Sequence, residues 1–322
     1  MVFLSFLLSL NVSQLFAAEI LIIESYHAEY PWDMGYKKAL TEQLGNKHQL
    51  HFFEMNTKRL AKELYHHRAE LAWDEYQRIK PDLVVLGDDN ALKFLGPMLS
   101  KTPTPVVYLG INNNPRNYNI VAANNITGVL ERPLIKRSVL SVSDIIPKTK
   151  RILVLFDSGY TAYTSLENTF NNESIATISN IQVEIKLVEE YNIWQKQIIA
   201  AKQNGFDAIV IGLYHTIRDK NHHHIAAENV LSWTAQNANL PIFALWDFAI
   251  GKDKAIGGLA LRSFDQGEAA AGLIEKILSG ISPDKLRPIT ATRGKYIFSR
   301  SEVERYNIKL PEHISSATTW VE

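Results

Sequence analysis

Short apolar runs alternate along the chain with longer stretches of helical period, the pattern of strand–helix–strand units wound around a parallel sheet. Residues 19–24 (EILIIE), 51–54, 83–86 and 106–109 read as successive buried strands. Helices are expected between them: over 33–44, closed by Gly45; over 60–80, stopped by Pro81; and from the turn Gly87-Asp88-Asp89-Asn90 to about Leu99. From about Ile126 the alternation restarts, with a helix over 131–146 and strands at 151–156, 183–188, 208–211 and 241–245. Helices are expected near 194–203 and 223–237 between these strands. An extended Gly257-Gly258-Leu259-Ala260-Leu261 leads to an Ala-rich helix over 266–278, and a strand near 296–298 precedes a last helix over 300–306. The fold class is α/β, two Rossmann-like lobes with parallel sheets that share architecture without a short-period sequence repeat.

In an open parallel sheet, ligands lie beyond the carboxyl ends of the strands, where the chain leaves each strand for its helix. In the first lobe those loops carry Ser25, Tyr26, His27, Trp32, Asp88, Asp89, Asn112 and Asn113. In the second they carry Asp157, Ser158, Tyr160, Tyr214, Trp246 and Asp247. Hydrogen-bonding groups interleaved with aromatic faces suit a small polar organic ligand, the polar atoms fixing orientation and the rings supplying contact area. Asn and Asp also gather in such loops because they cap helices and form turns, so the set as a whole says more than any member. Trp32, Asp89 and Asn112 on one side and Asp157, Tyr214 and Trp246 on the other are expected to face a shared ligand. As loop residues they are expected to add little to the core. Arg262 completes the candidate ligand-binding set, as counter-ion to a ligand carboxylate or as a surface salt-bridge residue.

A length of 322 residues fits about two ordinary domains, and 46% hydrophobic residues are enough for sizeable cores. Lys and Arg at 34 balance Asp and Glu at 34, which leaves no basic field for nucleic acid. The absence of cysteine removes disulfides, thiolate nucleophiles and Cys-ligated metal sites. Residues 1–18 hold no charge, are too short and interrupted to span a bilayer, and end in Ala17-Ala18 before Glu19. They read as a signal peptide that exports the chain, although the usual basic start is missing.

Other chemistries fit the chain poorly. His222-His223-His224 is expected at a solvated helix start, where consecutive side chains diverge by about 100° and cannot all reach one ion. No Gly-x-Ser-x-Gly elbow supports a hydrolase, and Ser25-Tyr26-His27 stands where a dinucleotide fingerprint would place its glycines. No catalytic residue, cofactor or metal is therefore expected.

Four segments carry a resemblance to a known family: Ser25-Tyr26-His27 with Tyr30-Pro31-Trp32; Asp88-Asp89-Asn90-Ala91; residues 106–113 (VVYLGINN) followed by 127–131; and Trp246-Asp247-Phe248 with Gly257-Gly258 and 266–270. Together, over nearly all of residues 19–315, they resemble the periplasmic substrate-binding proteins of the uncharacterised ABC-transporter type, whose domain also serves as the sensor region of some histidine kinases and diguanylate cyclases. The resemblance implies a type I periplasmic-binding fold, two lobes joined by three strand crossovers and closing on a ligand. Beyond the signal peptide read at 1–18, it divides the chain into a first lobe at 19–125 plus 262–283 and a second at 126–261 plus 284–322. It further implies a monomeric periplasmic protein with a small-molecule solute, read either by an ABC permease or by a membrane sensor kinase. Some relatives bind aromatic amino acids; the resemblance does not fix the ligand.

Overall fold

The computed structural model describes residues 17–120, 122–291 and 294–322, so all but the last two residues of the expected signal peptide lie outside the described residues. The first sheet is built from β1 (Glu19–Glu24), β2 (Gln49–Glu54), β3 (Leu83–Gly87), β4 (Val106–Ile111) and β5 (Ile126–Leu130). Between them run α1 (Pro31–Leu44), α2 (Tyr65–Ile79) and α3 (Asp88–Leu99). After α4 (Ile135–Ile145) the second sheet follows as β6 (Arg151–Asp157), β7 (Ile175–Ile178), β8 (Ile181–Val188), β9 (Ala208–Ile211), β10 (Ile242–Ala244) and β11 (Gly257–Ala260). Its helices are α5 (Tyr160–Phe170), α6 (Tyr191–Ala200) and α7 (Ala227–Asn237). The chain ends with α8 (Ser263–Leu278), β12 (Ile289–Thr290), β13 (Lys295–Ser299), α9 (Arg300–Arg305), α10 (Glu312–Ser315) and β14 (Thr318–Val321).

The strand orders are β12-β5-β4-β3-β1-β2 and β14-β13-β11-β10-β9-β6-β8-β7. Every pairing of the first sheet is parallel, and antiparallel pairs in the second occur only at β7–β8 and β11–β13 among the described residues. Parallel strands bury both faces, and their alternation divides the core. Ile20 and Ile22 enter one apolar cluster and Leu21 and Ile23 another; Ile152 and Val154 separate in the same way from Leu153 and Leu155.

The common order β2-β1-β3-β4-β5 and β8-β6-β9-β10-β11 places a topological switch in each lobe, between β1 and β3 and between β6 and β9. Crevices open at such points. After β11 the chain returns to the first lobe as α8, which packs against α1. Gly267 permits that approach, since a Cβ there would lie 2.5 Å from the Tyr36 carbonyl oxygen.

Several expected boundaries move. Ile126–Leu130 and Ile289–Thr290, both assigned to the second lobe from sequence, hydrogen-bond into the first sheet, where β5 continues the ladder of β4. The helix expected from residue 131 starts at Ile135 because Pro133 disfavours helical backbone at the residue before it. The helix expected at 60–80 opens as a 3₁₀ turn, Lys62–Leu64, and becomes α-helical at Tyr65. His222, His223 and His224 precede α7 in a loop rather than on a helix start, because the Asp219 carboxylate accepts the backbone N–H groups of Asn221 and His223 at 2.8 Å each. Such side-chain turns compete with helix formation. Strands β7, β12 and β14 were not expected: they are short or at sheet edges and carry no continuous apolar run.

Candidate functional site

The two switch points face each other across the lobes. A cavity of about 640 Å³ runs between them, lined from the first lobe by Tyr26, Thr57, Lys58, Tyr65, Asn90 and Phe94, among others, and from the second by Ser158, Tyr160, Thr161, Leu213, Thr216 and Arg218. A deeper chamber of about 10 Å³ is lined by Tyr26, Tyr30, Trp32, Asp88, Asn112, Glu131, Thr161, Leu213 and Trp246. Tyr26, Thr161 and Leu213 belong to both linings, so the inner chamber is the floor of the outer one.

The floor is assembled at strand ends. Asp88 opens α3 with φ +66, and Gly110 follows it across the sheet at φ +71. A Cβ on Gly110 would meet Asp88 Oδ1 at 3.1 Å and Trp32 Nε1 at 3.2 Å, so the left-handed turn and the close approach both favour glycine. Asn112 donates to Glu131 Oε2 at 2.9 Å, and Trp246 donates from Nε1 to Glu131 Oε1 at 2.7 Å. Three polar atoms on this floor have no hydrogen-bond partner: Trp32 Nε1, Asp88 Oδ2 and Asn112 Oδ1. Their residues are 2%, 3% and 3% exposed, a costly arrangement unless something meets them.

Acidity dominates this region. Burial, reinforced by Asp33 and Glu131, pushes Asp88 well above the usual carboxylate range. Burial also raises Glu131 to about 8, against the hydrogen bonds from Trp246 and Asn112. The answering cation is Lys58, itself only 8% exposed, with Nζ 4.2 Å from the centre of the Tyr26 ring and 4.8 Å from that of Tyr30.

The lobes touch around this centre. Tyr160 Oη accepts from Asn113 Nδ2 at 2.6 Å and donates to the Tyr118 hydroxyl oxygen at 3.2 Å, and Tyr30 meets His215 edge-on with ring centres 4.8 Å apart. Tyr160→Phe removes these two of the hydrogen bonds between the lobes, each worth about 0.5–1.5 kcal/mol. The expected result is a shift toward a more open form, seen as a larger radius of gyration by small-angle X-ray scattering, with stability little changed.

The model of the family described as ABC transporter substrate binding protein matches residues 82–321. The chain belongs to this family. No curated protein matches it. Among solved structures it is similar to an ABC domain in complex with L-Trp from Streptococcus pneumoniae, 18% identical, covering 95% of this chain and 100% of that one at a TM-score of 0.68. It is also similar to a conserved domain protein from Vibrio cholerae, at 17% identity, the same coverages and a TM-score of 0.70. A third similar structure is a ligand-free, open substrate binding protein with adhesive properties from Clostridium difficile, 13% identical, covering 95% and 100% at a TM-score of 0.64. These similarities establish the two-lobed α/β fold of a type I periplasmic-binding protein.

Within this substrate-binding protein the residues expected at the site separate into groups. Tyr26, Trp32, Asp88, Asn112 and Trp246 line the inner chamber; Ser158 and Tyr160 line the outer one, which Tyr26 shares. Asp89 and Asn113 hold the site from behind. The Asp89 carboxylate accepts from the backbone N–H groups of Asn112 and Asn113 at 3.1 and 3.2 Å and from the Tyr118 hydroxyl at 2.7 Å.

The remaining candidates line neither chamber. Ser25 ties β1 to β3 through Gly87 O at 2.6 Å and Ala91 N at 2.8 Å. Asp157 accepts the N–H groups of Gly159 and Thr216 at 3.0 Å each. His27 is kept neutral by burial, which lowers it to about 4. Tyr214 stacks on His215 with ring centres 4.4 Å apart and lines a separate cavity of about 230 Å³. Arg262 lies 3.8 Å from Asp247 and 3.5 Å from Asp265, so its cationic charge is used within the protein, as is the Asp247 carboxylate.

Sequence reasoning passed over Lys58, Glu131, Leu213 and Arg218 as site residues, while Tyr30, in the loop after β1, lines the inner chamber. Lys58 lies just past the end of β2, where the rule that selected the other loops applies equally. Glu131 directly follows β5, a strand read only as a crossover. No group of three or more His, Asp or Glu among the described residues is placed to hold a metal ion. None of the described helices is long and apolar enough to cross a membrane.

Proposed function

We propose that this member of the ABC substrate-binding family captures an aromatic amino acid, or a close relative bearing a free ammonium group, between its lobes and delivers it to an ABC permease. The observation that carries this reading is the convergence of Asp88 Oδ2 and Asn112 Oδ1, two buried acceptors without partners, on a small chamber beside Glu131. An ammonium group is about the size of a water molecule and supplies three donors. It suits a chamber of about 10 Å³ that no Lys or Arg lines. Trp32 Nε1, the unpartnered donor, suits an acceptor on the same ligand. The rings of Tyr26, Phe94 and Tyr160 give the wider chamber apolar faces for the ligand's body. The L-Trp named for the Streptococcus pneumoniae structure belongs to the same ligand class.

Contacts from both lobes favour the closed form, and a membrane partner that recognises only that form receives loaded protein. An exported, periplasmic protein is the setting in which this works. A sensor kinase reading the same closed surface is the second version, favoured by the family's use as a sensor region. Native mass spectrometry of freshly purified protein is the test of ligand class: an adduct with the mass of an aromatic amino acid supports it, and an adduct of a neutral sugar contradicts it.

The acids set a pH dependence. With Glu131 raised to about 8, the ligand-free protein holds a proton on this carboxyl at neutral pH and must release it to receive an ammonium group. Affinity for a cationic amine is therefore expected to rise with pH between about 6 and 8, by up to about tenfold per unit from Glu131 alone, and Asp88, also raised by burial, adds to the rise. Calorimetric titrations at pH 6, 7 and 8 check this, and Glu131→Gln should make the rise shallower.

A further inference from the structure

The cleft is electrically polarised along its depth. Its floor presents Asp88 and Glu131 and no Lys or Arg, whereas the wider chamber above presents Lys58, Lys62, Lys93 and Arg218 against one carboxylate, Glu189. None of these four cations has a carboxylate oxygen within ion-pair distance among the described residues, in contrast to Arg262 or Lys37 elsewhere in the protein. Lys58 is more than nine-tenths buried and makes no hydrogen bond, its ammonium resting on the faces of Tyr26 and Tyr30. Arg218 comes from the opposite lobe and lines the same chamber, its Nη1 donating to the His222 carbonyl oxygen at 2.9 Å with no carboxylate partner. Lysines at the rim of a cleft are ordinary; a buried lysine without a hydrogen-bond acceptor, facing the same space as an arginine from the other lobe, is not.

We infer that the cleft also takes, and holds more tightly than the free amino acid, a ligand that extends beyond the α-carboxyl carbon to an anionic group held in the outer chamber by Lys58 of the first lobe and Arg218 of the second. The class is an N-terminal aromatic residue extended by an acidic one, as in an acidic dipeptide or a similar carboxylate-bearing conjugate. The outer volume of about 640 Å³ is of the size that holds extended organic ligands. The two poles fix direction: the ammonium end enters the acidic floor and the anionic end meets the cations. An anion that contacts Lys58 and Arg218 joins the two lobes and so favours the closed cleft.

This inference rests on the proposed ammonium site, and the experiment separates the two. L-Tryptophyl-L-aspartate, L-tryptophyl-L-lysine and L-tryptophan are titrated calorimetrically into the full protein after unfolding and refolding to remove any retained ligand. The double variant Arg218→Gln, Lys93→Gln is titrated in parallel. The aspartyl dipeptide is expected to bind at least tenfold more tightly than the lysyl one. The variant should weaken the aspartyl dipeptide and strengthen the lysyl dipeptide, bringing their ratio below about threefold; simple damage to the fold would weaken both. Equal binding of the two dipeptides to the parent protein, or a preference that survives in the variant, overturns the outer anionic site while leaving the ammonium site standing. Binding of none of the three compounds overturns both.

Discussion

Asp88→Asn is expected to weaken binding of an ammonium-bearing ligand about a hundredfold while leaving the protein at least as stable as the parent. The two effects share one cause. Asp88 is 3% exposed, surrounded by Asp33, Glu131 and Asp89, and its Oδ2 has no partner in the protein. A carboxylate that meets a ligand cation in such a place contributes about 2–4 kcal/mol to affinity, and an amide cannot replace its charge. Without ligand the same carboxyl is a liability. Because folding raises its pKa, it contributes stability only at acid pH and loses that contribution as pH rises from the unfolded carboxylate range through the folded value. The stability difference in favour of Asp88→Asn should therefore grow between pH 5 and pH 8. Asparagine also tolerates the left-handed backbone at this position, φ +66, which makes it a better probe than alanine. Urea unfolding at the two pH values, beside calorimetric binding, measures both halves. A variant that binds like the parent would remove Asp88 from the ligand site.

Trp246→Ala should cost about 3–5 kcal/mol of folding stability, the range for removing a large buried aromatic side chain. Trp246 is 2% exposed, meets Phe156 edge-on at 6.1 Å between ring centres, lies nearly parallel to Phe248 at 6.5 Å, and donates to Glu131. Truncation opens a cavity and takes away one of the two hydrogen-bond donors of a buried carboxyl. Trp246→Phe keeps most of the packing and loses the donor, so it should fall between the two in urea and separate cavity from hydrogen bond. The sequence-based expectation that this residue contributes little to the core fails for a physical reason. A residue at a strand exit is a loop residue by position, yet here a second lobe covers that exit.

Elsewhere the same logic marks what a sequence exposes and what it hides. Runs such as Leu83-Val84-Val85-Leu86 are buried on both faces, and no other element places four consecutive apolar side chains so economically; those strands were legible. Edge strands such as Thr318–Val321, none of whose residues is fully buried, lack that signal. The rule that strand exits carry ligands picks out Trp32, Asp88, Asn112 and Trp246, and these four line the inner chamber. Tyr214 was misplaced because the rule locates a loop and says nothing of phase. In the extended segment after β9, Leu213 turns into the cleft, and its neighbour Tyr214 packs with the apolar cluster on the other side of the second sheet. Lys58 and Arg218 read in sequence as ordinary surface cations, and Arg262 as a ligand counter-ion. Ion pairing decides between such readings, and it depends on contacts such as Arg262 with Asp247 and Asp265 that sequence does not show.

On this reading the buried acceptors on the cleft floor, Asp88 Oδ2 and Asn112 Oδ1, receive a ligand's ammonium group. Calorimetry of the unfolded and refolded protein with L-tryptophan and with N-acetyl-L-tryptophan tests it most directly, because the pair share ring and carboxylate and differ at the nitrogen that Asp88, Asn112 and Glu131 would surround. Saturable binding of L-tryptophan with one molecule per chain is expected, with no measurable binding of the acetylated compound. Equal affinity for the two, or binding of the acetylated compound alone, would contradict it.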